Sequence, residues 1–199
     1  KKNGFNAPAP RSSYSMVYDR ALNRTILFGG WNGYKNLNDT WEYNLGTDTW
    51  TQIQAVNPPS ERREQSMVYD SHFNVLLMFG GFDSKYRNDT YEFNYSTSAW
   101  TLLAPSNPPE EVGGAAMEFD PVNDVTFLFG GFKNDAYTTH HWYTYNYSQN
   151  AWTNKTLFTA PHPRVYQSVA YDKAADEILM VWGVYDDAYY SGFDNETWV

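Results

Sequence analysis

One five-residue phrase constrains the fold more than anything else in the chain. Ser15-Met16-Val17-Tyr18-Asp19 returns as Ser66-Met67-Val68-Tyr69-Asp70, as Ala116-Met117-Glu118-Phe119-Asp120 and as Ser168-Val169-Ala170-Tyr171-Asp172. The closing Asp recurs at steps of 51, 50 and 52 residues. A period of this size marks an array of one supersecondary unit, because a unit that cannot bury its own faces must stack on its neighbours. After the Asp, each copy carries an apolar run that ends in glycine: Ile26-Leu27-Phe28-Gly29-Gly30, Leu77-Met78-Phe79-Gly80-Gly81 and Phe127-Leu128-Phe129-Gly130-Gly131. The fourth, Leu179-Met180-Val181-Trp182-Gly183, has lost its first glycine. An aromatic segment follows, opened by Asn38-Asp39-Thr40-Trp41, Asn88-Asp89-Thr90-Tyr91 and Asn195-Glu196-Thr197-Trp198, with Thr139-His140-His141-Trp142 aligned to them in the third copy. A lone tryptophan closes the first three: Trp50, Trp100 and Trp152.

Each copy divides into four short segments rich in aromatic and β-branched residues and separated by Asn, Asp, Gly or Pro. In the first they run about Ser12–Tyr18, Arg24–Gly29, Thr40–Asn44 and Thr49–Ile53, here labelled strands a to d. No useful length shows helical periodicity, so helix is expected to be nearly absent. Four-stranded antiparallel sheets repeated every 50 residues bury both faces when packed face to face around an axis, which is the propeller arrangement. The glycine pair then suits a crowded inner region or a backbone with positive φ. The tryptophan of strand d suits the wider gap between blades.

These marks resemble the kelch repeat: a hydrophobic run ending in Gly-Gly, then an aromatic residue and a Trp six residues apart. They stand here as Gly29-Gly30 with Tyr43 and Trp50, Gly80-Gly81 with Phe93 and Trp100, and Gly130-Gly131 with Tyr145 and Trp152. The resemblance implies an all-β, kelch-type β-propeller with four antiparallel blades over residues 1–199. The repeats fall at about 11–61, 62–111, 112–163 and 164–199, the last incomplete. Val199 aligns with Glu42, and the first ten residues align with Gln52 to Glu61. The chain therefore reads either as a fragment of a larger ring or assembly, since proteins it resembles usually have six or seven blades, or as a four-bladed ring with a short last blade. Its opening Lys and abrupt end read as a mature or excised piece. Trp182 in place of glycine, Phe93 in place of tyrosine and Val112 in place of Arg11, Arg62 and Arg164 depart from the pattern and predict looser junctions at repeats 3 and 4.

Charge and composition narrow the function. Lys plus Arg is 14 and Asp plus Glu 23, a net charge of −9, which argues against binding nucleic acid or an anionic membrane. No apolar run has the length of a membrane span, so direct membrane insertion is not expected. There is no cysteine, which excludes disulfides, thiol nucleophiles and the Tyr–Cys cofactor of the copper oxidases found among kelch relatives. Aromatic residues make up 19% of the chain. In an antiparallel meander the b–c loops and d–a connections share one end. The b–c loops (Trp31–Leu37, Phe82–Arg87, Phe132–Thr138, Val184–Asp194) carry the candidate binding residues Trp31, Tyr34, Lys35, Tyr86, Arg87, Tyr137, Tyr185, Tyr189 and Tyr190. Variable loops on a repeated scaffold are where specificity is placed, and Tyr, Trp and Arg are enriched in interface hot spots. Packing is the competing role for Trp31, Phe82 and Phe132. Arg11, Arg62 and Arg164 follow Pro-stiffened linkers and read either as an inward ring of guanidinium groups or as contacts to a neighbouring blade's carboxylate or carbonyls.

No catalytic constellation, metal site or cofactor is implied. His140 and His141, as neighbours on a strand, should point to opposite faces and not share an ion. Asp186, Asp187 and Asp194 offer a weak Ca²⁺ alternative to a solvated acidic loop. Seven Asn-x-Ser/Thr sequons, at Asn23, Asn38, Asn88, Asn94, Asn146, Asn154 and Asn195, fit an extracellular or cell-surface glycoprotein, with a cytoplasmic adaptor as the alternative. The reading is a non-catalytic binding or assembly module with a protein or glycan partner and possible self-assembly through exposed strand edges. The alternatives are part of a glycan-active or oxidising enzyme with further domains, or a structural subunit of an extracellular filament or coat.

Overall fold

Every repeat folds into an antiparallel meander, and its turns show why. The computed structural model describes residues 6–133, 137–157, 160–186, 191–193 and 195–199. In the first blade β1 (Ser15–Asp19), β2 (Arg24–Phe28), β3 (Thr40–Asn44) and β4 (Thr49–Ile53) pair in chain order. The recurring Asp closes the a–b turn. Asp19 Oδ1 accepts the amides of Ala21 and Leu22 at 2.8 and 3.1 Å, and Asp70, Asp120 and Asp172 accept the equivalent pairs. This is the Asx turn that Asp and Asn form with amides two and three residues on. Asn23, Asn74, Asp124 and Asp176 then take positive φ, a region those residue types tolerate. The tyrosine before the Asp fastens the loop: Tyr18, Tyr69 and Tyr171 donate to Asn23, Asn74 and Asp176.

The second blade is β5 (Ser66–Asp70), β6 (Val75–Phe79), β7 (Thr90–Asn94) and β8 (Ala99–Leu103), and the third β9 (Ala116–Asp120), β10 (Val125–Phe129), β11 (Trp142–Asn146) and β12 (Ala151–Asn154). The fourth has β13 (Ser168–Asp172) and β14 (Glu177–Val181). Its long b–c loop carries a separate hairpin of β15 (Val184–Asp186) and β16 (Ser191–Phe193), and β17 (Thr197–Trp198) pairs with β14 as strand c. No helix occurs among the described residues. The fold is the expected all-β, kelch-type propeller of four antiparallel blades.

Strand a lines the axis: β1 packs on β5, β5 on β9 and β9 on β13. Tyr18, Tyr69, Phe119 and Tyr171 share a central channel of about 460 Å³. Two apolar cores fill the first two junctions. Ile26 and Phe28 of the first blade meet Tyr69, Leu76, Phe93 and Trp100 of the second. Leu77 and Phe79 of the second meet Phe119, Tyr145 and Trp152 of the third. On the first blade Met16 and Tyr18 are 54% and 49% exposed, whereas Met117 and Phe119 at equivalent positions are 7% and 5% exposed. The leading face of the first blade therefore stands open.

Two sequence expectations need correction here. In the third blade Phe129 pairs with Trp142, as Phe28 pairs with Thr40, so His140-His141-Trp142-Tyr143 matches Asn38-Asp39-Thr40-Trp41 and the earlier alignment is one residue out. The loop is one residue longer, a slip that an aromatic-rich sequence hides.

The glycine pair takes positive φ, as expected, and the crowding it meets comes from the next repeat's linker. Gly29, Gly80 and Gly130 have φ of 65°, 64° and 71°, and a Cβ there would lie 2.7, 2.5 and 2.4 Å from the carbonyl oxygens of Arg62, Val112 and Arg164 in the following linker. The second glycine of each pair donates its amide to that same oxygen at 2.8–2.9 Å. The first glycine is thus required where the next repeat's backbone crosses. Trp182 occupies the position in the fourth blade at φ 63° with an exposed indole.

The arginines neither ring the axis nor bind a neighbouring blade's carboxylate. Each pairs within its own repeat: Arg11 with Asp39 and Arg62 with Asp89, both bidentate at 2.6 and 2.9 Å, and Arg164 with Glu196 at 3.4 Å. Each also donates to the carbonyl of the first glycine position: Gly29, Gly80 or Trp182. Where Val112 replaces Arg, His141 stands in the place of Asp, so both members of the pair change together.

Candidate protein-interaction face

The b–c loops and the d–a linkers do share one end, stitched by backbone hydrogen bonds. Arg62 N donates to Leu37 O at 2.9 Å and Val112 N to Arg87 O at 3.0 Å, so each linker is gripped by the previous blade's loop. At the axis a chain of bonds links all four blades. Glu64 N donates to Ser13 O at 2.8 Å, Gly114 N to Glu64 O at 2.7 Å and Tyr166 N to Gly114 O at 3.0 Å. These four residues occupy one equivalent position just before strand a, and all have positive φ, between 53° and 71°. All four line a concavity of about 340 Å³, together with Tyr14, Gln65, Ala115 and Gln167. A left-handed Tyr or Glu costs about 1 kcal/mol per residue, and the interblade bonds offset it.

Above this circuit lies a stack. The Arg63 guanidinium sits 5.3 Å from the Trp31 ring centre and 4.6 Å from that of Phe82, bridging the first two blades, and donates to Asn36 Oδ1 at 3.2 Å. Phe82 meets Tyr86 edge-on at 5.2 Å. Burial, then the Glu64 carboxylate, push the Tyr86 hydroxyl pKa up, with Arg63 opposing. Phe132 meets Tyr166 edge-on at 6.0 Å, and burial followed by the Glu64 charge raises the Tyr166 pKa as well. Gly113 is small because Tyr86 covers it: a Cβ there would lie 2.9 Å from that ring.

The structure gathers some candidates and separates others. Trp31 and Tyr86 join through Arg63 and Phe82, in a packing role with one edge to solvent. Tyr34 is 90% exposed at the tip of the first loop, its amide and that of Lys35 held by Asn32 Oδ1. Lys35 reaches Glu61 at 3.1 Å. Arg87 is held inside its own loop by Asp83 at 2.6 Å. Burial raises that carboxyl, but the bonds from Arg87 and Ser60 outweigh it and leave a pKa of about 2. Tyr137 is exposed on the third loop. The Tyr185 backbone lies in β15, its side chain outside the described residues, as are Tyr189 and Tyr190. The Ca²⁺ alternative also lies outside them, since it needs Asp187, Asp194 and the side chain of Asp186.

His140 and His141 precede β11 rather than lying on it, and their rings are 5.1 Å apart, so the expected opposite-face geometry does not hold. His141 Nδ1 contacts Glu110 Oε1 at 2.6 Å, and Lys133 and Thr139 share that carboxylate. Among the described residues no three of His, Asp and Glu gather as metal ligands. The residues that sequence reasoning missed are Arg63, Glu64 and Tyr166. The signal available was positional: they follow the linker arginine at fixed offsets, and Gly113-Gly114 at the same place points to a backbone that favours positive φ.

A family model described as the KLHDC2/KLHL20/DRC7 Kelch-repeats domain matches residues 2–112, more than half the chain. The chain belongs to the kelch-repeat family. Kelch-repeat propellers are in general non-catalytic protein-binding modules. A curated relative, Mei4-dependent protein 6 of Schizosaccharomyces pombe, is 36% identical over 72 residues. That stretch takes in 36% of this chain and 10% of the relative, so the kelch segment they share is about a tenth of the yeast protein.

Proposed function

We propose that the kelch chain binds a protein partner through the b–c loop face, with the mouth of the channel at its centre. The observation that carries this is the Arg63 stack on its backbone circuit: an arginine between two aromatic rings, at the end of the blades that also bears exposed Tyr14, Tyr34, Tyr137 and Tyr166 and whose loops and linkers are joined by interblade bonds. Preorganised aromatic and arginine side chains lose little entropy on docking and supply most interface energy. The test compares proteins retained by the immobilised chain with those retained by a Tyr34→Ser/Arg63→Ala/Tyr137→Ser variant. A His72→Ala change at the opposite end serves as control. A partner lost with the triple variant and kept with the control supports the reading; equal retention by all three overturns it.

The setting we propose is extracellular. It is supported by sequons whose asparagines stand exposed, Asn23 and Asn195 outside the strands and Asn94 and Asn154 at the ends of β7 and β12, whereas Asn38, Asn88 and Asn146 are partly buried. Intact glycopeptide mass spectrometry on native material tests it. Glycans on the exposed group are expected, and bare Asn23, Asn94 and Asn154 would argue for the cytoplasmic adaptor instead.

A further inference from the structure

The mouth of the channel carries hydrogen-bond acceptors that the fold leaves unanswered. Among the described residues four buried side-chain atoms lack a hydrogen bond, and two of them, Gln65 Oε1 and Gln167 Oε1, belong to residues lining the same concavity. Both glutamines are fixed in one way. Gln65 Nε2 donates to Phe28 O at 2.8 Å and Gln167 Nε2 to Phe129 O at 2.6 Å, each reaching the end of strand b in the preceding blade. Those bonds settle which end of each amide is the oxygen. Away from water, an unanswered carbonyl dipole draws a donor more strongly than it would in bulk solvent. Glu64 adds a carboxylate, the one charged group among the described residues of this wall, and its side chain is only 12% exposed. The Arg63 guanidinium lies 3.5 Å away but is engaged by Trp31, Phe82 and Asn36. The third blade contributes only Gly114 and Ala115, and a Cβ on Gly114 would lie 2.9 Å from the Tyr166 ring that shares the wall.

We propose that the mouth of the channel is a subsite for a basic side chain of the protein partner, whose N–H groups answer the Glu64 carboxylate and the two glutamine oxygens. The inference rests on the b–c loop face being the docking face. The count of donors decides the chemistry. Guanidinium and ammonium carry donors and no acceptor, whereas an amide or hydroxyl brings a further acceptor to a wall whose unanswered atoms are all acceptors. Tyr14 and Tyr166 add aromatic rings, beside which cations are stabilised. The net charge of −9 favours the approach of a basic group. Arginine fits better than lysine, because its planar fork both stacks on rings and meets several oxygens at once.

The test titrates acetyl-Gly-Gly-Arg-Gly-Gly-amide, and peptides with lysine or citrulline in place of the arginine, into the isotope-labelled 199-residue chain and follows amide resonances. Saturable shifts are expected at the side-chain amides of Gln65 and Gln167 and at the backbone of Glu64 and Gly114. The arginine peptide should bind tightest and the lysine peptide less well. Citrulline, which keeps the shape of arginine and loses its charge, should bind about tenfold more weakly than arginine. Glu64→Gln removes the carboxylate charge and leaves the backbone circuit, so it should weaken the arginine peptide about tenfold. Glu177→Gln, at the opposite end of the blades, should not. The peptide arms leave the protein unchanged, so the contrast of arginine with citrulline decides the matter even where a variant fails to fold. No saturable shift up to millimolar arginine peptide, equal binding of arginine and citrulline, or shifts that spare both glutamines overturns the proposal. The two readings fail separately. Partner loss with the triple variant but no preference for arginine removes the subsite alone, whereas that preference with the partner retained removes the docking face and leaves the mouth as a cation site.

Discussion

Trp100 and Thr40 meet across the junction of the first two blades, the indole Nε1 donating to the threonine Oγ1 at 3.0 Å in a site closed to solvent. Trp152 and Thr90 repeat the contact at 3.1 Å between the second and third. The bond explains why Thr opens strand c: it is the acceptor for the next repeat's tryptophan. Truncating Trp152 to Ala should cost about 3–5 kcal/mol through the cavity it leaves. Thr90→Val keeps the volume and orphans only the N–H, for about 1–3 kcal/mol. In a double-mutant cycle by urea unfolding, Thr90→Val should cost much less once Trp152 is Phe. Additive costs would mean the bond contributes nothing.

The crossing of each linker over the first glycine predicts an asymmetry between two positions of the same motif. Gly80→Ala puts a Cβ 2.5 Å from the Val112 carbonyl and forces left-handed backbone on a side chain. It should cost roughly 2 kcal/mol or more. Trp182 already carries such strain, at φ 63°, with its ring largely in water. Trp182→Gly should be neutral or stabilising by about 1 kcal/mol. Thermal midpoints of the two variants decide it, and similar losses at both sites would remove the crossing as the cause.

Where one residue type performs one job in every repeat, the fold could be read in advance. The bounds of β3 and β4 agree with the strand reading residue for residue, because Thr40–Asn44 and Thr49–Ile53 are flanked by Asn, Asp and Gly. Strand a was read three residues too early: Ser12 makes only a lone bridge to Trp31 before Ser13 turns left-handed. Side-chain chemistry does not reveal that turn, because Ser13, Glu64, Gly114 and Tyr166 share only a backbone conformation, and its signal is the Gly114 at the same offset. The arginine pairing was misassigned for a related reason. Arg62 lies in the linker, its backbone bonded to the first blade and its guanidinium to the second, and spacing alone does not say which way it turns. Of the candidate face, the loops were legible because insertions and aromatics concentrate there. Arg63 was not, since its role depends on two rings from different repeats.

Asp83, Asp39 and Glu110 make the array sensitive to acid. In each, burial raises the carboxyl pKa, but the bonds it receives outweigh burial: Arg87 and Ser60 on Asp83, Arg11 and Trp41 on Asp39, Thr139 and His141 on Glu110. All three end below their unfolded values, Asp83 at about 2. The unfolded chain then binds more protons, so the stability they contribute is complete above about pH 5 and lost as pH falls through the folded pKa. Arg87 is about a third exposed, so the Asp83 share is roughly 1 kcal/mol after screening. The stability gap between wild type and Asp83→Asn should be constant from pH 7 to 5 and shrink toward pH 2. A gap independent of pH would show that the carboxylate charge is not what the loop uses.

The linker arginines offer the same guanidinium with carboxylates of different exposure. Arg62 is buried and its partner Asp89 is mostly covered, whereas Glu196, facing the equally buried Arg164, is nearly half exposed and its contact is longer. Removing one partner of a buried pair strands the other's charge, at about 3–5 kcal/mol, while a pair open to water contributes about 0–1 kcal/mol. Asp89→Ala should therefore approach 3 kcal/mol, lessened by the bonds Arg62 keeps to Gly80 and Ser60. Glu196→Ala should fall below about 1 kcal/mol. The third blade supplies the natural control, since Val112 and His141 replace both partners and leave no stranded charge. On that precedent Arg62→Val combined with Asp89→His should cost less than Asp89→Ala alone. If the double variant proves worse, the arginine is holding the glycine carbonyl rather than answering a charge.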